Sequence, residues 1–383
     1  MPPPSRLRVL AWDNPRATGP LRAAIDRYRD VAPGVEIELA VRPLAAFNDE
    51  PIDEAAKRAD LVVFDHPMVP RAAETSALLP VDDIAVVAGA TIGGSSDSYR
   101  WNGQLWGVAI DAACQVTAAR TDLLEGLGRQ VPTTLEELLA LADDHASRVL
   151  LPLYPSDIMC TLLSLSALHA RSAGQPVTWL REDAVTTLIE LIARADRRGF
   201  GRNPPWVLDA LRRSDDWLLA PFVFGYASTG RVRTARSISW HDLPAGENGA
   251  RASILGGAGL GLSAASPQRD ASHRFATWFA DPARQRELSV EHGGQPAARE
   301  IWDDSHCDRL AGGFFSATRR TMDAAFRRPA APWWPEFQHQ AGLLLADRLG
   351  RGTPSAAVHD ELRQLCGRYP PMAGAPDTSE ENT

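Results

Sequence analysis

The chain is almost without lysine: of 40 Lys plus Arg residues only Lys57 is a lysine, so a Schiff-base or phosphate-loop lysine has a single candidate. Cysteine is also scarce. Cys114, Cys160, Cys307 and Cys366 are widely spaced with no C-x-x-C, which suggests neither a zinc motif nor a disulfide framework. The histidines show no H-E-x-x-H spacing and no G-x-S-x-G elbow occurs, so no metal, no cofactor and no serine-hydrolase centre is expected. Positive charge is in deficit. A net charge of −8 argues against binding a phosphate backbone, and nucleic acid is excluded as an expected partner.

Long hydrophobic runs are missing as well. No stretch of about 18 apolar residues exists, so no membrane insertion is expected. The start, MPPPSRLRVLAWD, lacks the apolar core and small-residue cleavage site of a secretory leader. As written the protein is expected in the cytoplasm, or in the periplasm or outside the cell if a leader was removed.

What remains is a globular α/β chain whose 383 residues exceed the span of one hydrophobic core, so two lobes are expected. Leu7–Trp12 reads as a strand, Thr18-Gly19-Pro20-Leu21 opens a helix that Pro33-Gly34 stops, and Val35–Val41 and Leu61–Phe64 read as further strands. This β-α-β-α-β order predicts a parallel sheet, with ligands gathering at the carboxyl ends of its strands.

Asn102-Gly103 predicts a type I′ hairpin, followed by a strand over Leu105–Ile110 and a short polar stretch, Asp111–Gln115. We read this as a crossing between lobes, with Asp111 and Gln115 facing the gap. Farther on, a helix is predicted over Thr133–Asp144, a strand over Val149–Leu153, helices at 158–170, 181–198 and 204–213, and a strand over Pro221–Tyr226. Ser253–Ser263 is glycine-dense but fails the G-x-G-x-x-G spacing and precedes no Lys-Ser/Thr, so it reads as a returning strand. Its Gly256 and Gly257 allow two backbones, or a backbone and a ligand, to approach closely. Helices are expected after His273, from Asp281-Pro282, and at 311–326, 335–348 and 354–366, with a disordered tail over 371–383.

The N-terminal strand and helix before VEIELAV, the crossing WNGQLWGVAID, the return ILGGAGLGLS with FATWFADPARQRELS, and GGQPAAREIWDD leading to RPAAPWWPEFQ together span nearly the whole chain. In this order they resemble the family 1 extracellular solute-binding proteins of ABC importers, the maltose-binding-like type II periplasmic binding fold. The resemblance implies two discontinuous α/β lobes around a central ligand cleft: 1–112 plus 264–310, and 113–263 plus 311–370. It implies a monomer that closes by a hinge on a small polar organic ligand, carbohydrate-like or carboxylated, and an ABC permease partner if the protein is exported.

Candidate ligand contacts follow, each beside a structural alternative. Trp12 and Asp13 end the first strand, and are either contacts or a helix-entry loop with a packed indole. Asp65 and His66 end the third strand, as a hydrogen-bonding pair or a helix cap before Pro67. Asp111 and Gln115 are polar groups in an apolar crossing that need partners, as ligand contacts or as a structural bond between the lobes. Tyr154, Ser156 and Asp157 are cleft contacts or helix caps, and Tyr226 is a contact or core residue. Trp333 and Trp334, in a proline-flanked loop, offer the most suggestive surface for stacking on a sugar. The alternative function is a cofactor-independent cytoplasmic lyase or isomerase on the same scaffold, with Asp65, His66 and Asp111 as acid/base groups.

Overall fold

The computed structural model describes residues 5–231 and 236–371. β1 (Ser5–Trp12) pairs in parallel with β2 (Val35–Arg42) along its whole length and with β3 (Leu61–Phe64) on its other edge, as the alternating apolar pattern predicted. The first helix, α1 (Pro15–Val31), starts one turn earlier than predicted. Asn14 caps it, its side chain accepting from the Arg16 amide at 3.0 Å, and Pro15 takes the first helical position, leaving Pro20 inside the helix.

Asn102 and Gly103 both have positive φ, 49° and 81°, and close the hairpin that pairs Trp101 with Gln104. The strand that follows does not stop at Ile110. It runs from Val108 to Ala119, and the short polar stretch Asp111–Gln115 lies within it. Small side chains explain this continuity, because Ala112, Ala113, Ala118 and Ala119 are buried where larger residues would hold neighbouring layers apart.

This crossing strand and the return strand Ser253–Ser263 form the spine of the molecule. They pair antiparallel, Ala258 with Asp111 and Gly256 with Ala113. The far half of the return strand pairs with β3 from Gly259↔Phe64 to Leu262↔Leu61, joining the N-terminal sheet. The far half of the crossing strand pairs instead with Leu219–Phe224 and Ser239–His241. The register slips between Ala258 and Gly259, where Ile110 is the extra residue of a bulge. Gly257, at φ +119°, sits beside that bulge; a Cβ there would lie 2.3 Å from the Asp111 carbonyl oxygen.

One core gathers the N-terminal sheet and α1 and continues to Trp240 and Phe314. A second is built on the buried helix Pro155–Ser172 with Glu182–Arg194 and Trp334–Gly350. Thr134 heads the helix Leu135–Asp144 with a complete capping box. Two predictions fail locally. Val149–Leu153 makes only isolated bridges, to Leu219 and Phe200, because Pro152 removes a donor from its middle. The helix expected at 311–326 is broken into Phe314–Ala317 and Arg319–Asp323, after Gly312 and Gly313 take positive φ. No helix among the described residues is long and apolar enough to cross a membrane. The tail expectation falls outside the described residues, apart from Pro371.

Candidate functional site

A cleft opens where β1 and β3 end, between the crossing strands and the first turn of the helix Pro155–Ser172. Its empty space is about 700 Å³ counting the open mouth. Seven of the residues singled out in the sequence line it: Trp12, Asp65, Ser156, Asp157, Tyr226, Gly256 and Gly257. Trp12 ends β1 and packs on Phe47 with ring centroids 4.8 Å apart, and its Nε1 has no hydrogen-bond partner among the described residues. Gly256 is there for close packing, since a Cβ would meet the Phe224 ring at 2.6 Å.

Two buried ion pairs border the cleft. Arg16 donates from Nε to Asp111 Oδ2 at 2.9 Å and from Nη2 to Asp111 Oδ1. It also donates from Nη1 to the Gly225 carbonyl at 2.9 Å and lies over the Tyr226 ring at 4.9 Å. Burial opposes its charge, but Asp111 outweighs burial and holds the guanidinium charged. Asp65 accepts from the His66 amide at 2.8 Å, and its second oxygen pairs with Arg328. Burial works to raise the Asp65 pKa, yet Arg328 and His66 together keep it well below the usual carboxylate range. Arg328 Nε has no partner among the described residues, and Gln338 accepts from its Nη1 at 3.5 Å.

Asp157 differs from both pairs. It lies in the first turn of its helix at 6% exposure, lines the cleft, and burial alone pushes its pKa well above the usual value. Cys160, one turn along, is also in the wall, its thiol pushed up to about 12 by burial.

The other candidates lie elsewhere. Asp13 is exposed, and its amide donates to the Arg42 carbonyl. Asp111 borders a smaller cavity on the far side of Arg16. Gln115 is fully buried, donating to Thr161 at 3.1 Å and accepting from Ser164 at 2.7 Å, because the helix covers that face of the strand beyond Cys160. Tyr154 precedes the helix at its N-cap and is outside the lining. Trp334 is fully buried, donates to Gln338 at 3.2 Å and packs on Trp179 and Phe337, while Trp333 stacks on Tyr369. Both indoles complete the second core, and one helical turn on it is Gln338 that faces the cleft.

The acid/base alternative finds no support. His66 is behind the cleft wall, pushed down to about 4 by burial and by Arg328, and Asp111 is occupied by Arg16. Arg16, Asn48, Arg328 and Gln338 were missed by the sequence reading. The Asn14-Pro15 cap was the available signal for Arg16, since it places that side chain in the first turn. Arg328 carried none, as one arginine among many beside a two-residue strand.

Two lobes strung on paired crossing strands, with a cleft at the strand ends, define a solute-binding architecture. The structure is similar to that of an ABC transporter solute-binding protein from Agrobacterium radiobacter K84 in complex with ribitol, at TM-score 0.79 and 17% identity over 96% of this chain and 100% of that one. It is similar to maltose-bound MalE3 of T. maritima, at TM-score 0.76 and 17% identity over 95% and 100%. The GacH receptor of Streptomyces glaucescens, solved unliganded and with acarbose, gives TM-score 0.76 and 18% identity over 96% and 100%. No curated protein matches the chain in sequence. Residues 45–304 match the family described as bacterial extracellular solute-binding protein, and the chain belongs to that family. That description is of an extracellular family and gives no support to the cytoplasmic expectation.

Proposed function

We propose that this protein is a receptor that holds a small, polar, carbohydrate-like or polyol ligand in the cleft and presents it to an ABC permease outside the cytoplasm. The observation that carries this reading is the pairing of an aromatic wall, Trp12 on Phe47, with two buried donors that have no partner among the described residues, Trp12 Nε1 and Arg328 Nε. Apolar ring faces and fixed donors suit a ligand with alternating C–H and hydroxyl surfaces. Neighbours of the same fold that carry ribitol, maltose and acarbose support the same class.

In this reading one lobe is 1–112 plus 264–310, the other is 113–263 plus 311–370, and the bulge at Ile110 with Gly257 is the hinge. Tyr226, Ser156 and Gln338 then approach Trp12 and Asn48 from across the cleft as it closes.

Equilibrating the purified protein with a metabolite extract and analysing it by native mass spectrometry tests this reading. A bound small polar compound released unchanged is the expected result. Recovery of no ligand, or of a chemically converted one, overturns it.

A further inference from the structure

The cleft holds one acid too many. Among its charged groups, Arg16 is taken by Asp111 and the Gly225 carbonyl, and Arg328 by Asp65 and Gln338. Asp157 is left, nine-tenths buried, in the wall of the cleft, with no cation and no hydrogen-bond donor from the described residues on its carboxylate. The groups nearest it in charge terms are Tyr226, Tyr154 and Cys160, all neutral and all pushed up in pKa, in part by Asp157 itself. Asp65 adds only further negative charge across the cleft.

A buried carboxylate without a partner is costly, and proteins neutralise it by protonation or by a counter-charge. Asp157 is in the first turn of an 18-residue helix, whose positive end favours the ionised form. In the empty cleft burial favours the protonated carboxyl, and a cation seated beside it would take that proton's place. An unpaired acid facing an open binding site is therefore a receptor for a cation. We infer that the bound solute is a polyhydroxylated amine, of amino-sugar or imino-sugar type, whose protonated nitrogen pairs with Asp157. This rests on the receptor reading above and specifies its ligand class.

Matched neutral and basic ligands test it: glucose against glucosamine, and sorbitol against N-methylglucamine, titrated calorimetrically into the full chain and into Asp157→Asn. The amine of at least one pair is expected to bind roughly tenfold or more tighter than its neutral partner. Asp157→Asn should abolish that preference. Acidification that protonates Asp157 should weaken amine binding.

Equal affinity for the two members of each pair overturns the inference and leaves the receptor reading standing. Neutral-ligand binding that tightens on acidification also overturns it, since Asp157 then acts as a neutral donor. Binding of none of the four overturns the inference for this class, and the metabolite capture decides the receptor reading separately. Without any ligand, Asp157→Asn should raise the melting temperature at neutral pH, because a buried carboxyl whose pKa burial raises destabilises the fold above its unfolded pKa and the amide does not. A fall would make Asp157 a structural partner and would also overturn the proposal.

Discussion

Arg16 and Asp111, 95 residues apart in sequence, form a two-pronged buried ion pair that fastens the first turn of α1 to the crossing strand beside its bulge. Because Arg16 also reaches the Gly225 carbonyl, one guanidinium joins the N-terminal sheet, the spine and the segment after Leu219–Phe224. Removing the acid alone leaves a buried cation without its partner. Asp111→Ala is expected to cost about 3–5 kcal/mol in chemical denaturation, whereas the double change Arg16→Met with Asp111→Leu should recover most of that loss. A cost below about 1 kcal/mol would show that the pair does not hold the structure together.

His66 makes stability depend on pH. Burial, and then the Arg328 charge, push its pKa down to about 4 from the ordinary 6.5, so the native ring stays neutral where the unfolded ring takes a proton. The unfolded state therefore binds more protons between pH 4 and 6.5, and stability falls as pH drops through that window. At its full extent the loss is about 3 kcal/mol. Other groups titrate in the same range, so the comparison of interest is with His66→Gln. Its unfolding free energy should decline less steeply from pH 7 to pH 4.5, and an unchanged slope would refute the assignment.

Trp12 tests the ligand wall. Trp12→Phe retains an aromatic ring against Phe47 but removes the Nε1 donor. Affinity for the captured solute should fall by about 1 kcal/mol, or roughly fivefold in Kd, with little change in melting temperature. If affinity holds while stability drops, the indole is a packing residue.

Much of the fold was legible because its signals are local. Strand alternation, the Asn102-Gly103 turn, the caps at Thr134 and Asp281 and the glycine-dense return strand each depend on neighbours in sequence, and each is present. The site was legible only in part, because a cleft is assembled from distant segments. Strand ends pointed to Trp12 and Asp65, which line it. The same logic failed at Trp333-Trp334, where paired tryptophans look like a sugar platform but complete a core with Phe337, Trp179 and Tyr369. Arg328, 263 residues from Asp65, had no local signature at all. Gln115 was read as a cleft residue because it is polar in an apolar strand, yet its partners are hydroxyls of a helix that begins 40 residues later.

Gly257 gives the sharpest test of the hinge. Its φ of +119° is a conformation that L side chains rarely adopt, and a Cβ would meet the Asp111 carbonyl oxygen at 2.3 Å and the Ala112 Cα at 3.0 Å, all backbone that cannot swing aside. Gly257→Ala should therefore cost about 1–3 kcal/mol from backbone strain, with more from the forced separation of the two spine strands. Gly350→Ala is the matched control, since that glycine ends a helix with nothing within 4 Å and an ordinary φ. There the methyl should be neutral or stabilise by up to about 1 kcal/mol. Separating the strands at the bulge also moves Asp111, so Gly257→Ala should disturb the Arg16 pair and weaken ligand binding beyond its effect on folding. If it unfolds at the same denaturant concentration as Gly350→Ala and binds as the parent does, the two strands are free to slide at this point and the bulge is not the hinge.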